Sequence, residues 1–327
     1  MYLENEWMYP TLVNNKLFVW KINEEAERRI KQEHSFWTDE LLRSNLLEST
    51  FQLGRSLGDN IFVALSGGSD SQCACLALQQ AGVSFTAAIL KFDSDFNKVD
   101  VDSAVNFCET YNIKYITHDI DIMGFLAKEL PIFVDRYQCP SPQISTHLWF
   151  YEQLIKNYNP SSIVCGGHAP YIRKDIWSFG STRSQSAWMT FKDVNNFNII
   201  GNYRGHSFDI AIAFMIAHKN TLEMNPDEDN RCPILYASKI QGMYNLGFNV
   251  LPQAKKMTGF EEIKIMLKEK VKAKFVFDKW YRDPYKRKYK DYSSELRLNP
   301  EINDILTNAT NSIAFSKTCI NTYNQVE

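Results

Sequence analysis

The sequence predicts an α/β fold: a doubly wound, mostly parallel sheet with a helical C-terminal portion. Short apolar runs rich in β-branched and aromatic residues alternate with helix-like segments between Ile61 and Cys165. The first run ends in a serine- and glycine-rich turn, Ser66–Ser71. Alternating strands and helices form a parallel sheet with helices on both faces. Such a turn lies at the carboxyl edge of the sheet, where ligands bind.

The composition is that of a globular protein with one large or two modest domains. The chain has 327 residues, a formal net charge of −2 and 44% hydrophobic residues. No apolar run is long enough to span a membrane, and the N-terminal stretch MYLENEWMYP lacks the features of a signal peptide. The 7 cysteines are scattered without zinc-site spacing. We therefore expect a cytoplasmic protein with reduced cysteines and no membrane contact.

Residues 1–58 are predicted to form an N-terminal hairpin followed by helices. The apolar runs Tyr9–Val13 and Leu17–Trp20 are separated by a pair of asparagines, which favour turns. Leucines at helical spacing then indicate helix over residues 23–58, with a cap region at Thr38. This segment precedes the first strand of the predicted sheet.

Residues 59–205 carry the strand–helix alternation, and residues 206–327 are predicted to form a mostly helical portion that completes the site. In this last portion, Asp209–Lys219 and Ile263–Val271 have helical character. The elements predicted before it are, in order, Ile61–Leu65, Ser71–Ala81, Phe85–Leu90, Val101–Tyr111, Tyr115–His118, Ile122–Leu130, Ser145–Tyr158 and Ile163–Cys165.

The turn after the first strand has the residue types that bind phosphate. Gly67 and Gly68 permit backbone angles closed to other residues and let an anion approach the main chain. The serines add hydroxyl donors, and the start of the next helix adds unpaired N–H groups. No lysine follows the glycines, which distinguishes the turn from the loop G-x-x-x-x-G-K-[ST]. A carboxylate beside phosphates, here Asp70, favours a bridging Mg²⁺. The alternative is an ordinary strand-to-helix turn with serine caps.

The stretch Ser66-Gly67-Gly68-Ser69-Asp70-Ser71 resembles the pyrophosphate loop of the N-type ATP pyrophosphatases, the PP-loop superfamily. With the stretch from Asn249 to Glu261, it is most similar to the C-terminal synthetase domain of asparagine synthetases. The resemblance implies an adenine nucleotide alpha hydrolase-like, Rossmann-like fold that uses ATP and Mg²⁺. It also implies a ligase that adenylates a carboxylate or carbonyl oxygen and releases pyrophosphate. Ammonia or an amine would then displace AMP.

Two further strand ends are candidates for the nucleotide site. Leu90, Lys91 and Phe92 resemble the strand end that receives the adenine in this superfamily; the alternative is an ordinary strand end with a snorkelling lysine. Gly166 and Gly167 follow the fourth predicted strand, and a glycine pair there indicates a second close approach of the backbone.

The resemblance also implies a set of charged residues. Asp175 is the nearest candidate for a second metal-binding carboxylate beside Asp70, because no acid directly follows the second glycine pair. Lys255 or Lys256, with Arg282 as a secondary choice, would stabilise the charge that builds up on the phosphates. The alternative for these basic residues is a surface turn.

The acceptor is predicted only as a small molecule or a nucleobase. Tyr2 stands where glutamine-dependent asparagine synthetases have a catalytic cysteine, so we expect no glutaminase domain and ammonia from solution or from a separate glutaminase. Lys268–Lys290 mixes basic residues with tyrosines, which can bind nucleic acid or form a solvated helix face. The net charge of −2 disfavours the first.

Two alternatives to the ligase remain open. One is an RNA- or nucleobase-modifying PP-loop enzyme of the tRNA or 7-deazaguanine type. The lack of a cysteine zinc pattern counts against the deazaguanine nitrile synthases. The other is a nucleotide-binding protein that has kept the loop without the chemistry, which the incomplete second acidic motif suggests.

Overall fold

A computed structural model describes most of the chain up to Ile263 and short stretches beyond it. The described residues are 7–13, 17–137, 139, 141–167, 171–173, 176–178, 182–218, 233–253, 257–263, 295–296, 301–302 and 304–305. Within them, no helix combines the length and the apolar character that a membrane crossing requires.

The first described elements are the predicted hairpin and two helices. Strands β1 (Met8–Val13) and β2 (Leu17–Ile22) pair antiparallel. The helices predicted over residues 23–58, with a cap region at Thr38, are α1 (Glu24–Glu33) and α2 (Asp39–Leu57). The break has a local cause: the side chain of Thr38 accepts a hydrogen bond from the backbone N–H of Leu41, which starts a new helix.

Strands and helices then alternate, as predicted. Up to the fourth predicted strand the elements are β3 (Ile61–Ala64), α3 (Ser69–Gln80), β4 (Thr86–Phe92), α4 (Lys98–Thr110), β5 (Tyr115–Ile120), α5 (Ile122–Gly124), α6 (Leu130–Tyr137), α7 (Pro142–Tyr158) and β6 (Ser162–Cys165). The elements after them are β7 (Tyr171–Arg173), β8 (Ile176–Ser178), α8 (Thr182–Asn195), β9 (Ile199–Ile200), α9 (Phe208–His218), α10 (Pro233–Asn245) and β10 (Glu295–Leu296).

The central sheet is parallel and has five strands in the order β5-β4-β3-β6-β9. The chain moves outward from β3 through β4 to β5 and then returns to place β6 on the other side of β3. The strand order therefore reverses between β3 and β6. In open parallel sheets, ligands bind beyond the carboxyl ends of the strands at this reversal. The predicted α/β class is confirmed, and β9 is an edge strand that the sequence analysis missed.

Helices cover both faces of this sheet, so it is doubly wound. Along β3, Ile61 and Val63 belong to a buried cluster with α2, α3, α4 and α9, whereas Phe62 belongs to a second cluster with α6, α7 and α8. Adjacent strand residues point to opposite faces. Burial of both faces explains why the strands are continuously apolar rather than alternating.

A second sheet joins distant parts of the chain. Its order is β1-β2-β10-β8-β7, and β10 pairs parallel with β2 and antiparallel with β8. Its strands come from all three segments that the sequence analysis distinguished. The C-terminal portion thus contributes a strand as well as α9 and α10, while the predicted helix Ile263–Val271 lies outside the described residues except for Ile263.

Candidate functional site

A cavity of about 390 Å³ lies at the carboxyl ends of β3, β4 and β6, where the strand order reverses. This volume is in the range of small-molecule sites, about 300–1,000 Å³. Ser66, Asp70 and Ser71 of the predicted phosphate loop line it. The other predicted residues in its wall are Leu90, Phe92, Gly166 and Gly167.

The loop backbone adopts a conformation that only glycine accommodates. Gly67 has φ of +74°, and a Cβ added there would lie 2.3 Å from the carbonyl oxygen of Asp100. This added Cβ would also lie 3.1 Å from the backbone nitrogen of Ala104. The loop is therefore packed against the backbone of α4. Gly68 follows and directly precedes α3, without a side chain of its own to cap the helix.

The serines of the loop hold its shape. The hydroxyl of Ser71 donates to the carbonyl oxygen of Gly68 at 2.9 Å and accepts from the backbone N–H of Ser66 at 3.1 Å. The two hydroxyls of Ser66 and Ser71 are also within hydrogen-bond distance, 3.2 Å. Ser69 is buried. The loop is thus preformed, and α3 begins beside the cavity, with Asp70 and Ser71 of its first turn in the cavity wall.

Gln72 ties the loop to a distant part of the chain, and the sequence analysis did not single it out. Its buried amide nitrogen donates to the carbonyl oxygens of Gly67, at 2.7 Å, and Leu251, at 3.0 Å. Its amide oxygen accepts from the backbone N–H of Leu251 at 2.6 Å. The available signal was a lone amide followed by the apolar helix residues Cys73–Leu78.

Asp70, the predicted metal ligand, forms ion pairs with two basic residues. Its Oδ1 lies 2.6 Å from Nη2 of Arg204 and also contacts Nζ of Lys239. The Arg204 side chain is 1% exposed and that of Asp70 24%. Neither basic residue was predicted, because nothing local in the sequence connects Tyr203–Gly205 or α10 with the loop.

The residues present fit a Mg²⁺ ion that arrives with phosphate groups. No set of three or more His, Cys, Asp or Glu side chains within the described ranges is placed to hold a metal. Mg²⁺ needs fewer protein ligands, since it is commonly held by one or two carboxylates together with phosphate oxygens and water. Asp70 and Asp100 both line the cavity and supply such hard oxygen atoms.

Arg204 is held from several sides. Its Nη2 also donates to the carbonyl oxygen of Gly167 at 3.0 Å, and its guanidinium carbon lies 5.6 Å from the ring centroid of Phe214. His218 lies in the same charged environment. Burial, followed by the charges of Arg204 and Lys239, holds the pKa of His218 well below its usual value, with a smaller opposing effect of Asp70.

At the end of β4, where adenine binding was predicted, the side chain of Asn97 hydrogen-bonds the backbone. The carboxamide of Asn97 accepts from the backbone N–H of Phe92 at 2.9 Å and donates to the carbonyl oxygen of Leu90 at 2.8 Å. The Phe92 ring is buried and packs edge-on against Phe260, with centroids 5.6 Å apart. The Nζ of Lys91 lies 3.7 Å from Oδ1 of Asp119 on β5, and Lys91 is not among the residues that line the cavity.

The glycine pair after β6 brings this strand end against the loop. A Cβ on Gly166 would lie 2.6 Å from the carbonyl oxygen of Asp70 and 2.7 Å from Cα of Ser71. Gly167 has φ of +65°, and its Cβ would lie 2.0 Å from Oδ1 of Asn202. The close backbone approach expected here is present, and the approaching backbone is that of the loop itself.

Another part of the cavity wall comes from the N-terminal cap and first turns of α7, which the sequence analysis did not assign to the site. Ser141, Gln143 and His147 line the cavity from this side. Beside them, the thiol of Cys165 donates to the hydroxyl of Tyr151 at 3.2 Å. Burial raises the pKa of Cys165 to about 12, so this thiol is protonated at neutral pH.

The other predicted site residues lie outside the described part of the chain. These are Asp175, Lys255, Lys256, Arg282 and the basic segment Lys268–Lys290. Their assignment stays a prediction.

No family model matches the chain, and no curated protein matches it. A solved structure described as a predicted subunit of tRNA methyltransferase from Methanocaldococcus jannaschii is similar at a TM-score of 0.29 and 16% identity, covering 43% of this chain and 66% of that one. NMN synthetase from Francisella tularensis is similar at a TM-score of 0.38 and 13% identity, covering 86% of this chain and 98% of that one. At similarities this low, neither likeness carries a functional conclusion for this chain.

Proposed function

We propose that this protein is an ATP-dependent ligase of the PP-loop ATP pyrophosphatase type. One observation carries the proposal. A preformed Ser-Gly-Gly-Ser-Asp-Ser loop lies between a buried parallel strand and a helix N-terminus, at a cavity where the strand order reverses. The proposed reaction is attack of a carboxylate or carbonyl oxygen on the α-phosphate of ATP, with release of pyrophosphate. Ammonia or an amine then displaces AMP.

In this reaction the chain contributes positioning and charge neutralisation. The loop and the N-terminus of α3 hold the departing pyrophosphate. Asp70, with Asp100 in the same cavity wall, would hold Mg²⁺. When bound, this ion neutralises phosphate charge. Asp175, Lys255, Lys256 and Arg282 keep the roles that the resemblance implies.

The acceptor belongs in the part of the cavity that faces the loop. Ser141, Gln143 and His147 provide hydrogen-bonding groups there, next to the apolar side chains of Ile144 and Phe150. We infer a small acceptor, either a metabolite with a carboxylate or carbonyl oxygen or a nucleobase. Ammonia comes from solution or from a separate glutaminase.

The products of ATP turnover test this proposal. The protein is incubated with ATP, Mg²⁺ and a metabolite extract, and AMP, pyrophosphate and any adenylated or amidated product are measured by mass. We expect AMP and pyrophosphate in equal amounts, and loss of both in Asp70→Asn. Asp59→Asn, an exposed change in a turn, is the matched control and should leave the turnover intact. Formation of ADP and phosphate would refute the proposal.

A second candidate is a protein that binds the nucleotide without cleaving it. The observation that favours it is the engagement of Asp70 Oδ1 by both Arg204 and Lys239, because a carboxylate already paired with two cations can serve a purely structural role. The same experiment separates the two functions. Binding of ATP in calorimetry without AMP formation under any acceptor condition would favour this second candidate.

A further inference from the structure

A buried arginine with unused hydrogen-bonding capacity is ion-paired with the aspartate of the loop. The Arg204 side chain is 1% exposed, and of its nitrogens Nε and Nη1 are buried with no hydrogen-bond partner in the described structure. Only Nη2 has the contacts with Asp70 and Gly167. A buried guanidinium with unpaired nitrogens is costly, so a further partner that accepts from these nitrogens would stabilise it.

Arg204 and Lys239 are not among the residues that line the cavity, and their partners link them to it. Both polar contacts of Arg204, the carboxylate of Asp70 and the carbonyl oxygen of Gly167, belong to residues that line the cavity wall. Lys239 reaches the same carboxylate oxygen from α10 and is 27% exposed. We call Arg204 and Lys239 the basic pair.

We propose that the basic pair binds a polyphosphate anion and that Asp70 is its resident counter-ion, displaced when the anion enters. The identity of this anion, the phosphate chain of a nucleotide or free pyrophosphate, rests on the proposed function. Phosphate and carboxylate oxygens accept the same charge-assisted hydrogen bonds from a guanidinium, so one can replace the other. The exchange adds a second role to an aspartate that the loop pattern suggests only as a metal ligand.

The surroundings favour movement of Asp70 rather than of the arginine. Arg204 is fixed by the carbonyl oxygen of Gly167 and by the ring of Phe214. Asp70 is in the first turn of α3 with its side chain 24% exposed. Rotation of this side chain toward the cavity frees the basic pair and presents the carboxylate to an arriving divalent cation. Anion binding and metal binding would then support each other.

Binding of inorganic pyrophosphate in the presence of EDTA tests this exchange. Calorimetry measures its affinity for wild type, Lys239→Met and Asp70→Asn, with Lys31→Met on α1 as a matched loss of one positive charge away from the cavity. We expect Lys239→Met to weaken the affinity by about tenfold, the effect of one charge-assisted hydrogen bond. We expect Asp70→Asn to strengthen it by about fivefold, because the competing carboxylate charge is removed. Lys31→Met should leave it unchanged.

The Asp70 variant distinguishes this exchange from a purely metal-binding role. Unchanged or weaker pyrophosphate binding by Asp70→Asn without metal would overturn the proposal, as would equal losses in Lys239→Met and Lys31→Met. Circular dichroism checks that each variant is folded. The outcome is separable from the proposed function. A protein that forms AMP but fails this test refutes only the exchange, and one that passes without forming AMP refutes only the ligase.

Discussion

Replacing Gly67 by alanine should destabilise the protein and weaken ATP binding, whereas Gly82→Ala should only destabilise it, and by less. Both glycines have φ of +74°. Alanine at either position therefore carries the same strain of a left-handed backbone, about 1–2 kcal/mol. The two sites differ only in the space around the added methyl group, which makes Gly82 a matched control.

The magnitude follows from that space. At Gly82 nothing lies within 4 Å of an added Cβ, so the strain is the whole effect. At Gly67 the Cβ would lie 2.3 Å from the carbonyl oxygen of Asp100, a backbone atom that cannot rotate aside. Either the loop or the start of α4 has to shift, which costs about 1–3 kcal/mol more. We expect Gly67→Ala to lower the free energy of unfolding by about 2–5 kcal/mol in total.

Equilibrium unfolding in urea, followed by tryptophan fluorescence, measures both variants, and calorimetry measures ATP affinity. Equal destabilisation of the two variants would refute the close packing of the loop on α4. A Gly67→Ala protein that binds ATP as wild type does would refute the dependence of nucleotide binding on loop position.

Two further predictions concern buried polar groups. Gln72→Met preserves the size of the side chain but leaves the backbone groups of Leu251 without the Gln72 amide, and the carbonyl oxygen of Gly67 with only the hydroxyl of Ser103 among the described residues. Stability in urea and ATP affinity should both fall, and an intact affinity would contradict the role of this link in holding the loop. The pKa of His218 is held well below 6.5, so above pH 6.5 the ring is neutral in both states, and below it only the unfolded chain takes up the proton. Stability should therefore fall as the pH drops below 6.5. His218→Phe should remove about 1 kcal/mol of this loss between pH 6.5 and 5.5, measured by urea unfolding. Identical slopes for wild type and variant would contradict the burial of a neutral histidine.

Local patterns were sufficient for the parallel sheet and its loop. Ile61–Ala64 is a short apolar run that ends in serine and glycine, and strand, turn and helix all follow from residues adjacent in sequence. Elements with weaker local signals were missed. The strand β9 has only two residues. β10 gains its hydrogen bonds from β2 and β8, far away in the chain, while β7 is a three-residue strand that, within the described part of the chain, pairs only with β8.

In the candidate site, too, the residues with a local sequence signal were predicted and the others were missed. The sequence predicted the glycines of the loop, because a tight turn before a helix demands residues without a Cβ. It did not predict the role of Asn97, whose side-chain amide hydrogen-bonds the backbone N–H of Phe92 and the carbonyl oxygen of Leu90 at the end of β4. That contact follows from how α4 starts beside the strand, a geometry that no spacing rule encodes.

By itself, then, the sequence determined the fold class and the position of the Ser66–Ser71 loop at the sheet edge, since both depend on short-range periodicity and backbone conformation. Only the tertiary structure decided what surrounds Asp70. Arg204 and Lys239 come from segments far from the loop in sequence, and they meet at the carboxylate because the turn Tyr203–Gly205 and α10 both pack against α9. Charge pairing of this kind depends on distances in space, which residue order alone does not specify.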